Sequence, residues 1–148
     1  EFRASEVVFG KGIKVVEGAD VTIVATGPQL TNALAARERL ISRGWDAEVV
    51  YIHTIHPLDG ELINASVAKT RRVVVVEEHM ERGGLGDDVL RVTRKLPEMR
   101  FTSVAIPNTF VTGYASYHDH CRKLGLTAEG IVDRVIQEFA PAWDGRKG

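Results

Sequence analysis

Two hydrophobic rhythms alternate along the chain. Val21–Ala25, Glu48–Ile52, Val73–Val76 and Phe101–Ile106 are short, rich in β-branched residues and nearly unbroken in apolar character. That is the pattern of strands covered on both faces. Between them, apolar positions recur at helical spacing. Leu30, Ala33, Leu34, Leu40 and Ile41 form one stripe, Leu85, Val89, Val92 and Leu96 a second, and Ile131, Val132, Val135, Ile136 and Phe139 a third. Leu62, Ile63 and Val67 make a shorter stripe, and Ile13–Val16 predicts one further short strand.

The punctuation agrees with the periodicity. Pro28 suits a first helical turn, where its missing N–H costs nothing. Gly44 stands where a left-handed cap follows a helix ending at Arg43. Asp59 can cap a helix beginning near Glu61, and Thr127 the last helix. Strands alternating with helices through short connections predict an α/β domain, its strands mostly parallel and its crossovers right-handed. No repeat or low-complexity stretch divides the chain, so one domain is expected over residues 8–139. Residues 1–7 read as a linker or cloning remnant. Residues 140–148 mix Pro141, Gly145 and Gly148 with charge and read as a flexible tail.

Composition narrows the classes. The 148 residues can bury a sizeable core. Nineteen basic residues nearly cancel twenty acidic ones, for a net charge of −1. No basic stripe announces nucleic acid. The longest apolar runs are strand-length, which argues against a membrane-spanning helix. No charged-then-apolar leader points to secretion. The one cysteine, Cys121, can form no internal disulfide, and a reducing cytoplasm is the expected compartment.

Candidate chemistry is sparse. Gly83-Gly84-Leu85-Gly86-Asp87-Asp88 sits between a strand and a helix, where backbone N–H groups and the helix dipole can meet an anion. It does not match the dinucleotide fingerprint. Asp87 and Asp88 would already complement the positive helix end and repel a phosphate. Glycines that permit a tight turn and close packing are the better reading. Thr26-Gly27-Pro28 also opens a helix after a strand, without carboxylates beside it. Thr26, Gly27, Gly83, Gly84 and Gly86 are therefore weak anion-site candidates. His53 with His56, and His118 with His120, lack the further ligands of a zinc pattern. Glu77-Glu78-His79 follows a buried strand, where α/β sheets bind ligands. Its neighbours point in opposite directions, so a polar loop against another domain or subunit is favoured over an acid–base pair. No serine stands in a nucleophile-elbow setting. Cys121, on a short helix beside His120 and Arg122, reads as unreactive.

Three segments, taken together, resemble the C-terminal domain shared by transketolases, deoxyxylulose-phosphate synthases and the beta subunits of 2-oxo-acid dehydrogenases. They are Gly10-Lys11-Gly12 with Glu17–Gly27, then His53–Asp59, then Val73–His79 with Gly83–Gly86. The ending Gly125–Ile131 resembles transketolase and synthase tails. The resemblance implies a three-layer α/β/α domain around a mixed, mostly parallel five-stranded sheet, with the first strand antiparallel to the rest. In such enzymes thiamine diphosphate and magnesium are held by two other domains, through a Gly-Asp-Gly…Asn motif and an activating glutamate. Neither motif is present here, so no catalytic, cofactor-binding or metal-binding residue is expected in this chain.

The resemblance implies an assembly domain of a transketolase-like enzyme that moves a two-carbon ketol unit between sugar phosphates. Its partners would be other domains or subunits of the same enzyme, in a homo-oligomer, with no nucleic acid or membrane among them. The expected contact surface is the loop from Glu78 to Gly84, with His79, Met80 and Arg82 beyond the third strand, since methionine and arginine are enriched at interfaces. Two other readings stay open. Ser66–Thr70 also resembles the dehydrogenase beta subunits, and a free-standing module binding a small regulatory anion is a different class altogether.

Overall fold

A computed structural model describes residues 7–109 and 113–140. The expected leading linker and trailing tail lie, apart from Val7 and Ala140, outside the described residues. The elements run β1 (Ile13–Val16), β2 (Val21–Ala25), α1 (Gln29–Ile41), β3 (Ala47–Tyr51), α2 (Gly60–Thr70), β4 (Arg72–Met80), α3 (Leu85–Thr93), β5 (Arg100–Ile106), α4 (Tyr117–Leu124) and α5 (Ala128–Phe139). The strands form one sheet in the order β1-β3-β2-β4-β5. β1 is antiparallel to β3, and the other pairs are parallel.

Alternation along the strands builds two cores, one on each face of the sheet. Ile23, Ala25, Val49, Val74 and Val76 meet α1 and α5 through Ala33, Ala36, Leu40, Ile131, Val135 and Phe139. Val24, Val50, Val73 and Val75 point the other way, to Ile63 and Val67 of α2 and Leu85 and Val89 of α3. This is the three-layer α/β/α arrangement. The connection from β2 to β3 moves one way along the sheet, and those from β3 to β4 and β4 to β5 move the other way. Right-handed crossovers therefore send α1 to one face and α2 and α3 to the opposite face. The two sets of connections part between the adjacent strands β2 and β4.

The caps fall at the expected residues. Asp59 Oδ1 accepts from Leu62 N at 3.2 Å, and Thr127 Oγ1 from Gly130 N at 3.1 Å. Gly44 adopts a left-handed conformation (φ 80°), and Trp45 N returns to Leu40 O at 2.9 Å. Three details differ from the periodic reading. Ile41 ends the α1 stripe but is 45% exposed, having rotated off the core face. α3 stops at Thr93, and Leu96 reaches the same core from the turn beyond it. β4 continues past Val76 to Met80 because its last residues still pair with β5, at Met80 and Ile106.

Candidate functional site

A cavity of about 530 Å³ opens where the connections part, at the carboxyl ends of β2 and β4. Ligands of open α/β sheets bind at this kind of position. Thr26, Gly27 and Pro28 form one wall, Gly83, Gly84 and Leu85 the other. Ile55 and His56 come from the loop after β3, and Glu77, Glu78 and His79 form the floor.

Glu77 and Glu78 point to opposite faces because they are consecutive in a strand. Glu77 is buried under α3. Its Oε2 accepts from Leu85 N at 2.7 Å and its Oε1 from Gly86 N at 2.9 Å. The protein's own carboxylate thus stands where the helix N-terminus would meet an external anion, and both N–H groups are taken. Gly84 makes the approach possible, since a Cβ there would lie 2.4 Å from Glu77 Oε2. Asp87 Oδ2 accepts from Gly83 N at 2.6 Å and closes the turn from outside.

Glu78 faces α1 and α4. Its Oε1 accepts from Gln29 Nε2 at 2.7 Å and from the Tyr117 hydroxyl. The Glu78 carboxylate, with burial and Cys121 adding to it, holds the Tyr117 phenol well above its ordinary pKa, so Tyr117 is a donor and not a base. Gln29 in turn accepts from Asn32, which donates to Leu126 O as well. At the start of α1 the first N–H groups bond back to nearby carbonyls, Gln29 N to Thr26 O and Thr31 N to Pro28 O, each at 3.3 Å.

Of the expected contact residues, His79 and Arg82 are exposed and Met80 is half-buried. Glu78, His79 and Met80 belong to the end of β4, so the turn proper begins at Glu81. His79 Nδ1 lies 3.1 Å from Met80 O, and His56 Nε2 lies 3.6 Å from Asp88. Thr26 and Gly27 line the same crevice as Gly83 and Gly84, two segments that sequence spacing kept apart. Gly86 lies under α3 against Glu77. Sequence reasoning missed the separate tasks of Glu77 and Glu78. The signal was available, because a strand extended two residues past Val76 sends alternate side chains to opposite helices. Among the described residues no cluster of His, Cys, Asp or Glu could hold a metal ion. No helix among them is long and apolar enough to cross a membrane.

The other sequence segments singled out for their glycines and prolines also meet. Gly12 N donates to Asp59 Oδ2 at 3.1 Å, which ties the approach to β1 to the N-cap of α2.

Residues 10–131 match the model of the transketolase C-terminal domain. The chain is 37% identical over 128 residues to a 6-deoxy-6-sulfo-D-fructose transketolase subunit of Clostridium sp. (strain MSTE9), covering 86% of this chain and 39% of that protein. It is 29% identical over 143 residues to 1-deoxy-D-xylulose-5-phosphate synthase of Lachnoclostridium phytofermentans, covering 93% of this chain and 22% of that one. A solved split-gene transketolase, an inactive beta4 tetramer, superposes with a TM-score of 0.84 at 34% identity, covering 93% of this chain and 46% of that chain. The chain therefore spans less than half the length of each of these three proteins.

Proposed function

Because the chain belongs to the transketolase C-terminal domain family, we propose that it is the assembly domain of a transketolase-like enzyme. That enzyme transfers a two-carbon ketol unit between sugar phosphates. The observation that carries this reading is the family match over residues 10–131. Two other domains, in the same enzyme or on a companion polypeptide, hold thiamine diphosphate, which when bound supplies the electron sink for the transferred unit.

The residues of this chain do not fit that cofactor. Among the described residues the crevice presents two glutamates and no lysine or arginine, and the N–H groups at the start of α3 are already bonded to Glu77. A diphosphate brought there would meet like charge. The domain's contribution is to fix how protomers meet, through the exposed side chains of His79 and of Arg82 in the turn after β4.

Titrating the chain into the companion polypeptide tests the reading. Ketol transfer should rise and saturate at stoichiometric ratio, with no transfer by the chain alone. Arg82→Asp should shift the saturation to higher concentration and leave the plateau rate intact. Calorimetry of the isolated chain with thiamine diphosphate and magnesium should show no saturable heat. Transfer that does not depend on added chain would overturn the proposal.

A further inference from the structure

The crevice between β2 and β4 has a charge preference that follows from its lining. Among the described residues, its lining includes Glu77 and Glu78 but no lysine or arginine. Two helix N-termini, those of α1 and α3, also face it, and each supplies about half a positive charge. Two carboxylates outweigh two half charges, so the crevice keeps a net charge of about −1.

The two carboxylates differ in what they have left to give. Both oxygens of Glu77 accept backbone N–H groups. Glu78 takes both its donors, Gln29 and Tyr117, on Oε1. Its Oε2 has no partner among the described residues. One acceptor is therefore free, and its carboxylate is held in place from a strand, a helix and a second helix. Ile55, Pro28 and Leu85 line the same crevice and give it apolar surface. An apolar slot with one fixed carboxylate oxygen suits a basic side chain, whose methylene stem can lie on the walls while its head meets the charge.

We propose that this crevice seats an arginine or lysine side chain of the companion polypeptide, with Glu78 Oε2 as its acceptor. The source of the side chain rests on the assembly reading. The cation preference rests only on the crevice.

The test has two arms. In the first, N-acetyl-arginine amide is titrated into the chain while the ring protons of His56, His79 and Tyr117 are followed by NMR. N-acetyl-citrulline amide serves as the neutral isostere and inorganic phosphate as the anion. Saturable shifts are expected with the arginine probe alone, weakened about tenfold or more in Glu78→Gln, as for a charge-assisted bond. Glu78→Gln keeps an oxygen for Gln29 and Tyr117, and its amide spectrum reports whether it folds. No saturable shift, equal shifts with citrulline, or preference for phosphate would overturn the cation site.

In the second arm, the arginine probe and Glu78→Gln are each applied to association of the chain with the companion polypeptide. Both should weaken it by a similar factor. If the probe binds but association is unmoved, the crevice takes a free cation and the side-chain source is wrong. If the probe binds the chain while the two polypeptides never associate, the assembly reading fails and the cation site stands.

Discussion

At the residue scale, several carboxylates in this domain hold backbone, Glu77, Asp59 and Asp87 among them. Glu77 depends on having two acceptors for two N–H groups. Glu77→Gln turns one acceptor into a donor and leaves a buried N–H facing another N–H, so it should cost about 1–3 kcal/mol in a denaturant titration. Gly84→Ala attacks the same contact from the other side, by pushing a methyl into the carboxylate. Because the two changes break one interaction, the double variant should lose less than the sum of the singles. Acid stability should answer to a different glutamate. Lys69 and Lys14 bond the exposed Glu17 carboxylate and lower its pKa to about 2 from 4.5. A carboxyl depressed in the folded state stabilises fully above its unfolded value and ceases to do so as pH falls through its folded value. The difference in melting temperature between the native chain and Glu17→Gln should therefore persist down to about pH 4.5 and close towards about pH 2. Added salt should narrow it at every pH, since Glu17 is in solvent.

At the element scale, the glycine- and proline-rich segments act as joints between strands and helices. Asp59 is the clearest case. One of its oxygens caps α2 through Leu62 N, and the other holds Gly12 N at the entrance to β1. Thr127 caps only its own helix. Thr127→Ala should then cost about 1 kcal/mol, the ordinary loss for a cap. Asp59→Ala should cost more, by roughly another 1 kcal/mol for the second bond. Thermal melts of both variants check the order. An Asp59→Ala melt no lower than that of Thr127→Ala would mean that the Gly12 contact adds nothing.

At the scale of the whole molecule, the sheet between two cores decides what can be changed. Val75 is fully buried on the α2/α3 face. Val75→Asp would place an unpaired charge there, at a cost of several kcal/mol against the roughly 5–15 kcal/mol that a domain has in total. It should abolish the cooperative melt seen by circular dichroism. Ile41 has the same apolar character and sits in an apolar stripe, yet it is 45% exposed. Ile41→Asp should move stability by no more than about 0.5 kcal/mol.

That contrast marks what was legible in the chain. β-branched runs and helical stripes marked the strands, four of the five helices among the described residues, and their order, because burial on both faces leaves a periodic signature. The polar helix α4 buries only Cys121 and leaves no stripe to read. Caps at Asp59 and Thr127 were legible because capping is local chemistry. The crevice was not. It joins Thr26 and Gly27 to Gly83 and Gly84 only because crossover handedness sends α1 and α3 to opposite faces between neighbouring strands. Strand alternation could send Glu77 and Glu78 to opposite helices, but not show that Glu77 spends both oxygens on α3 while Glu78 keeps one without a partner among the described residues. Local pattern determined the elements, and the packing of elements distant in sequence decided which polar groups were used up and which were left to meet a partner.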